Sequence, residues 1–265
     1  MQKKQTKAER IPPRVRRFVK PLLLIAAILL VWHLVCEAGI WSGYVLPSPQ
    51  KVGRTFLKML TSGEIFEDIG VSFIRVIKGY SIAFGLAFLL GMVASLFPRA
   101  AEAYDPLLEF MRNVPPIALI ALLILWFGIG ETSKIIIIVL ASFFPMFLNI
   151  KKGFMGCDPR LREVGRAFGY TPARQFFQIQ LPAAVPDILV GMRIGLGYSW
   201  RAIIGAEMFA ASKGLGHLIV FSQQMSRSDK VLIGIFMIGL VGYLTDVVFS
   251  WILKKALHGG TINEQ

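Results

Sequence analysis

The sequence predicts an all-α polytopic membrane protein with about six transmembrane helices. Three observations carry that prediction. The 265 residues are 55% hydrophobic and only 17% charged, with a mean hydropathy of +0.61, too apolar for a soluble domain of this length. Apolar runs of membrane-crossing length recur along the chain. Basic residues collect on alternate connections, as they do in a chain inserted with its positive segments inside. The net charge of +13 would suggest nucleic acid in a soluble protein; here it reads as that inside bias, and no nucleic-acid partner is expected.

Residues 1–20 form a basic tail with eight lysines and arginines, followed by an apolar run from Pro21 to Cys36. No small-x-small cleavage site follows it, so the run reads as a retained first span rather than a signal peptide. Tyr44-Val45-Leu46-Pro47-Ser48-Pro49 is turn-rich, and Val52 to Leu60 reads as an amphipathic helix. The second span is Gly79 to Phe97, notched by Gly79, Gly85 and Gly91 for close helix approach and closed by Pro98-Arg99. The third is Val114 to Ile129 and the fourth Ile135 to Ile150, joined by Gly128-Ile129-Gly130-Glu131-Thr132-Ser133. The fifth runs from Ile188 to Ala206 and the sixth from Val231 to Leu253. The domain organisation is thus a tail (1–20), a transmembrane domain (21–257) with a polar loop at 151–186, and a short C-terminal tail (258–265). With both tails inside, eighteen of the 29 lysines and arginines fall on inner segments and nine on outer ones; Arg193 and Arg201 lie within the fifth span. This asymmetry predicts an inner-membrane topology with both termini and the 151–186 loop in the cytoplasm.

That loop is the basic interruption between the fourth and fifth spans. Leu161, Val164 and Phe168 recur at i, i+3 and i+7, the spacing of one helix face, while Arg160, Arg162, Glu163 and Arg166 fall largely elsewhere. Gly169 and Thr171-Pro172 stop this helix. On pattern alone it is an amphipathic helix on the water side, at home on lipid headgroups. Cys36 and Cys157 lie in different surroundings and suggest neither a disulfide framework nor a metal site. No GxxxxGK[ST] or HExxH string occurs, so the chain has no phosphate-binding loop of its own.

The order of residues in the loop says more. Glu163-Val164-Gly165, three residues, Gly169, nine residues, Ile179, one residue, then Leu181-Pro182 resembles the EAA loop of ABC-importer permeases, E-A-A-x3-G-x9-I-x-L-P. Spacing matches throughout. Glu163, Gly169, Ile179, Leu181 and Pro182 match in identity, whereas Val164 and Gly165 replace the alanines, the glycine weakening a helix by roughly 1 kcal/mol. Leu46-Pro47-Ser48-Pro49, Pro115-Pro116, Trp126-Phe127-Gly128-Ile129-Gly130-Glu131 and Gly205-Ala206-Glu207 with Gly214-Leu215-Gly216 are similar to the nitrate/sulfonate/taurine/bicarbonate branch of those permeases. The resemblance implies a type I importer permease subunit that performs no chemistry and binds no cofactor. It would work as a dimer over two cytoplasmic ATPase subunits, which hold ATP and magnesium, and would receive substrate from an extracytoplasmic binding protein. The loop helix would be the coupling helix seated on the ATPase, with Leu161, Glu163, Val164, Gly165, Phe168, Gly169, Ile179, Leu181 and Pro182 as its elements.

Charges inside spans default to functional hypotheses because they are costly there. Arg193 lies near the inner end of its span and can snorkel. Arg201, beside Ser199 and Trp200, has two open readings: it lines the pathway and favours an anionic substrate, or it is buried in a pair with Glu207 or Asp246. Trp126, Ser199, Trp200, Arg201 and Glu207 are the candidate pathway residues. The rival reading is a secondary transporter working without an ATPase; no inverted repeat is evident by eye. An intramembrane enzyme would need clustered catalytic groups, which the spans lack.

Overall fold

The computed structural model describes residues 13–257; the first part of the basic tail and all of the C-terminal tail fall outside the described residues. Every regular element described is helical. In chain order these are α1 (Pro13–Glu37), α2 (Pro49–Thr61), α3 (Glu64–Leu96), α4 (Pro98–Arg112), a 3-10 turn (Pro116–Leu119), α5 (Ile120–Phe127), α6 (Glu131–Met155), α7 (Pro159–Ala167), α8 (Pro172–Gln175), a π turn (Phe176–Gln180), α9 (Leu181–Ala210), α10 (Leu215–Gln224) and α11 (Ser228–Leu257). Four stretches are long and apolar enough to cross a membrane: Glu64–Leu96, Glu131–Met155, Pro172–Ala210 and Ser228–Lys255. The bent pair Pro98–Arg112 and Pro116–Phe127 has the length and composition of a fifth if taken as one span, and Leu22–Glu37 is a shorter apolar helix, a count roughly consistent with about six spans.

The fold is built around α6, which packs between α3 and α9. Glycines set both interfaces. A Cβ at Gly79 would lie 2.6 Å from the Ile138 Cβ, and one at Gly91 would lie 2.7 Å from Ile150 Cγ2. The two contacts advance together along both helices, so α3 and α6 run parallel. Against α9 the order reverses: Gly153 meets Ala184, while Gly191 meets Met146 and Asn149. The Gly191-x-x-x-Gly195 pair therefore seats α9 on α6 of the same chain. Gly85, expected to notch a helix contact, has open space around it. At one end of α6, the half-buried Phe88 and the buried Phe154 and Phe176 form a chain of rings, with centroids 5.6 and 5.0 Å apart.

Three expectations need correcting. The second span begins at Glu64, not Gly79, so Arg75 lies inside a span helix rather than in an outer connection; it is 5% exposed. The third span is broken. Pro115 and Pro116 lack N–H donors and Pro115 is extended, so the chain turns by 84° between α4 and the 3-10/α5 segment. That segment is about 20 Å long, short of the ~30 Å hydrocarbon core. Lastly, Pro182 and Pro186, expected to bend the chain back toward the fifth span, lie within its helix; Pro172–Ala210 is one helical path. The π turn permits this: the Leu181 N–H bonds to the Phe176 carbonyl in the widened turn just before Pro182, which has no N–H to give.

Candidate functional site

Two constellations lie at opposite ends of α6. At the end where α6 stops and α9 begins, α7 is held as a rigid unit. Pro159 opens it, and the Asp158 carboxylate accepts from the Arg160 N–H at 2.9 Å as N-cap. It closes in a Schellman turn: Tyr170 N–H donates to the Gly165 carbonyl and Gly169 N–H to that of Arg166, both at 2.9 Å, with Gly169 at φ +72°. The helix lies on the π turn, and a Cβ at Gly165 would stand 2.7 Å from Ile179 Cδ1. Glycine in place of alanine thus lets α7 seat closely on Ile179 and Gln175, which offsets its poor helix propensity. Leu181 is half-buried and Pro182 exposed at the start of α9.

The outward face of α7 is apolar. Leu161 is 50% exposed, Val164 52% and Phe168 76%, with Glu163 and Arg166 also exposed. The base beneath is tied to every central helix. Phe176 is fully buried against Phe154; Ser95 of α3 donates to Gln180 at 2.6 Å; Lys152 pairs with Asp187 at 3.0 Å and Lys151 with Asp105 of α4. A force on α7 therefore reaches α3, α4, α6 and α9 together.

At the far end, Arg75 joins two carboxylates. Its Nε and Nη2 donate to Glu131 at 2.8 and 2.7 Å, and Nη1 donates to Glu207 at 2.8 Å and to the Lys213 carbonyl at 2.7 Å. Lys134 completes a neutral quartet by donating to Glu131. Ser72 donates to Glu207 and accepts from the Leu215 N–H; the Gly216 N–H donates to Glu207 and that of Gly214 to Asp68. The chain after α9 is thereby strapped over the ends of α3 and α6. Gly214 sits at φ +118°, and a Cβ at Gly216 would meet the Ile204 carbonyl at 2.5 Å, which accounts for both glycines of that motif. In the strap, the hydrogen bond from Lys213 to Glu67 raises the Lys213 ammonium above its ordinary range.

The five candidate pathway residues do not converge. Ser199 is buried and donates to the Gly195 carbonyl; Trp200 is buried, its Nε1 donating to the Ile238 carbonyl at 3.0 Å; Glu207 is locked by Arg75. Trp126 is 63% exposed. Arg201 is exposed over the Tyr198 ring at 5.6 Å. Neither anticipated acid reaches it: Glu207 belongs to Arg75, and Asp246 binds Arg193 through two bonds of 2.9 and 2.8 Å. Arg193 is thus paired across to α11. Sequence reasoning missed Arg75, Ser72 and Lys134; the available signal was a lone arginine between Phe73-Ile74 and Val76-Ile77, which demands acids from other helices.

The comparisons with known proteins agree with this architecture. Residues 83–258 match the binding-protein-dependent transport system inner membrane component family. A Bacillus subtilis (strain 168) permease assigned to aliphatic sulfonate transport, SsuC, is 37% identical over 96% of this chain and 93% of its own length. The taurine transport system permease protein TauC of Escherichia coli (strain K12) is 31% identical over 89% of this chain and 87% of its own. Among solved structures, a chain of the MetNI methionine ABC transporter in an inward-facing conformation superposes with a TM-score of 0.61 at 16% identity, over 76% of this chain and 97% of that one, a likeness of fold. Match length, identity and fold together make this chain a member of the binding-protein-dependent transport inner membrane component family, an ABC-importer permease in the branch of the sulfonate, taurine and nitrate permeases.

Proposed function

We propose that the chain is the membrane-spanning subunit of an ATP-driven importer of a small oxyanion of the sulfonate, taurine or nitrate type. Two copies form the pathway, two cytoplasmic ATPase subunits hydrolyse ATP, and an extracytoplasmic binding protein delivers the substrate. The substrate class follows the names of the relatives; the partners follow the family. Both termini and α7 face the cytoplasm, in keeping with the charge asymmetry.

The observation that carries the coupling role is α7 itself. It is capped at both ends, rooted in the aromatic core through Phe176, and leaves Leu161, Val164 and Phe168 at least half exposed among the described residues. Burying each such side chain in a groove contributes ~1.5–3 kcal/mol, and the surrounding arginines and Glu163 supply orientation. A secondary transporter has no use for such a face.

The test is co-purification with the ATPase together with ATP-dependent uptake, comparing wild type with Glu163→Arg/Gly169→Asp. Normal insertion with loss of ATPase and uptake supports the coupling helix. Retained ATPase binding and transport, or a wild type with no associated ATPase, would refute it.

A further inference from the structure

Between α9 and α11 lies a cleft of about 450 Å³ that the coupling role leaves unassigned. Its walls include Leu196, Trp200 and Ile238, and its charged groups are Arg201 and Asp246. Arg193 lies eight residues, about 12 Å, from Arg201 along α9. The two arginines differ in one respect. Arg193 is neutralised by the two-bonded Asp246, whereas Arg201 meets no carboxylate among the described residues and rests only on the Tyr198 ring.

We infer that this cleft is an anion subsite in which Arg201 holds a monovalent oxyanion carrying at most a small apolar group, such as nitrate or a short alkanesulfonate. The inference rests on the proposed import of small anions and names where in this chain the anion is held. An arginine at mid-span is costly unless it faces water or a counter-charge. Arg201 stands six residues, about 9 Å, inward of Glu207, and no acid among the described residues pairs with it. An aqueous cleft visited by anions removes that cost. With Arg193 and Asp246 cancelling, the cleft carries one net positive charge, which one monovalent anion balances. The planar guanidinium fork matches paired oxygens of a sulfonate or nitrate. The cleft's carboxylate is already occupied twice over, so the ammonium of an aminosulfonate finds no free partner; a simple alkanesulfonate is preferred.

Gly197 lines the cleft and has open space at its Cβ position, so a cysteine fits there. The experiment uses the full chain, assembled in proteoliposomes with Cys36→Ser and Cys157→Ser, and reads the modification rate of Gly197→Cys. Two methanethiosulfonate reagents are compared, one bearing a sulfonate and one a trimethylammonium group. The anionic reagent is expected to react at least tenfold faster, ethanesulfonate to slow it more than taurine does, and Arg201→Gln to abolish the preference while Arg201→Lys keeps most of it. No modification by either reagent, or equal rates with Arg201 present, overturns the subsite. Should Arg201→Gln fail to fold, protection by ethanesulfonate in the Arg201 protein decides: none at millimolar concentration overturns it. ATP-driven sulfonate uptake by the assembled transporter separates the two ideas. Uptake without charge preference leaves the importer standing and removes the subsite; charge preference without uptake does the reverse.

Discussion

Arg75 and Glu207, 132 residues apart, meet at 2.8 Å with side chains 7% and 0% exposed. They join α3 to the last turn of α9, and Glu131 on α6 takes the other edge of the same guanidinium. Three helices that the sequence separates by whole spans are registered by one arginine.

Removing that arginine leaves a buried carboxylate uncompensated, which typically costs about 3–5 kcal/mol. Arg75→Ala is therefore expected to lower the thermal midpoint of the solubilised protein severely and to free the strap around Gly214 to proteolysis. Glu207→Gln keeps the shape and some hydrogen bonds, so its loss should be smaller. Arg75→Met/Glu207→Met should recover part of the stability lost in Arg75→Met. An Arg75→Ala protein with an unchanged midpoint would remove the quartet from any structural role.

The glycine contacts make a paired prediction. At Gly79 an added Cβ meets the Ile138 Cβ, close to the backbone and unable to swing away. Gly79→Val should force α3 off α6 and cost about 1–3 kcal/mol, the range of overpacked cores. Gly85→Ala lies on the same helix with nothing nearby, and should gain roughly 0.5–1 kcal/mol from helix propensity. Thermal unfolding of the two variants in one detergent gives opposite signs; equal signs would deny that Gly79 sets the approach.

The contrast between those glycines shows what the sequence could and could not say. Both sit in an apolar run at similar spacing, and only the register of α3 on α6, a long-range fact, tells the notch from the ornament. Apolar runs revealed the spans because bilayer thickness fixes their length. The loop helix was legible because its caps and its face are local. Arg75 was not: it precedes the uncharged run from Gly79 to Phe97, and its partners lie 56 and 132 residues away. The break at Pro115-Pro116 was read as the opening of a span because proline suits a first turn as well as it suits a kink. That Arg201 pairs with neither Glu207 nor Asp246 could be seen only once Arg75 and Arg193 were found to hold those two acids.

Phe168 is the most exposed of the three apolar residues on α7, and it adjoins the Gly169 cap. Phe168→Ala should leave the fold intact, since it touches little of its own chain, yet weaken ATPase association by ten- to hundredfold, about 1.4–2.8 kcal/mol. Gly169→Ala acts differently. It strains φ +72° by about 1 kcal/mol and loosens the cap, so association should fall modestly while ATP hydrolysis becomes less responsive to substrate. Titrating labelled ATPase onto nanodisc-held permease separates the two. Equal affinity for wild type and Phe168→Ala would show that another surface seats the ATPase.

Asp246→Asn offers the sharpest reading of the α9–α11 cleft. Arg193, which Asp246 holds through two bonds, lies near the inner end of its span and can snorkel when released, so the variant should still insert and assemble, with some loss of stability. Electrostatically the change is larger: Arg193 is released and the cleft passes from one uncompensated positive charge to two. A cysteine at Gly197 should then show an anionic-over-cationic labelling ratio several-fold above that of the Asp246 protein. Uptake should saturate at lower substrate but run more slowly, because an anion held by two guanidiniums leaves late. An unchanged labelling ratio would mean that Arg193 and Arg201 do not share one field, and that Arg193 has no part in the anion site.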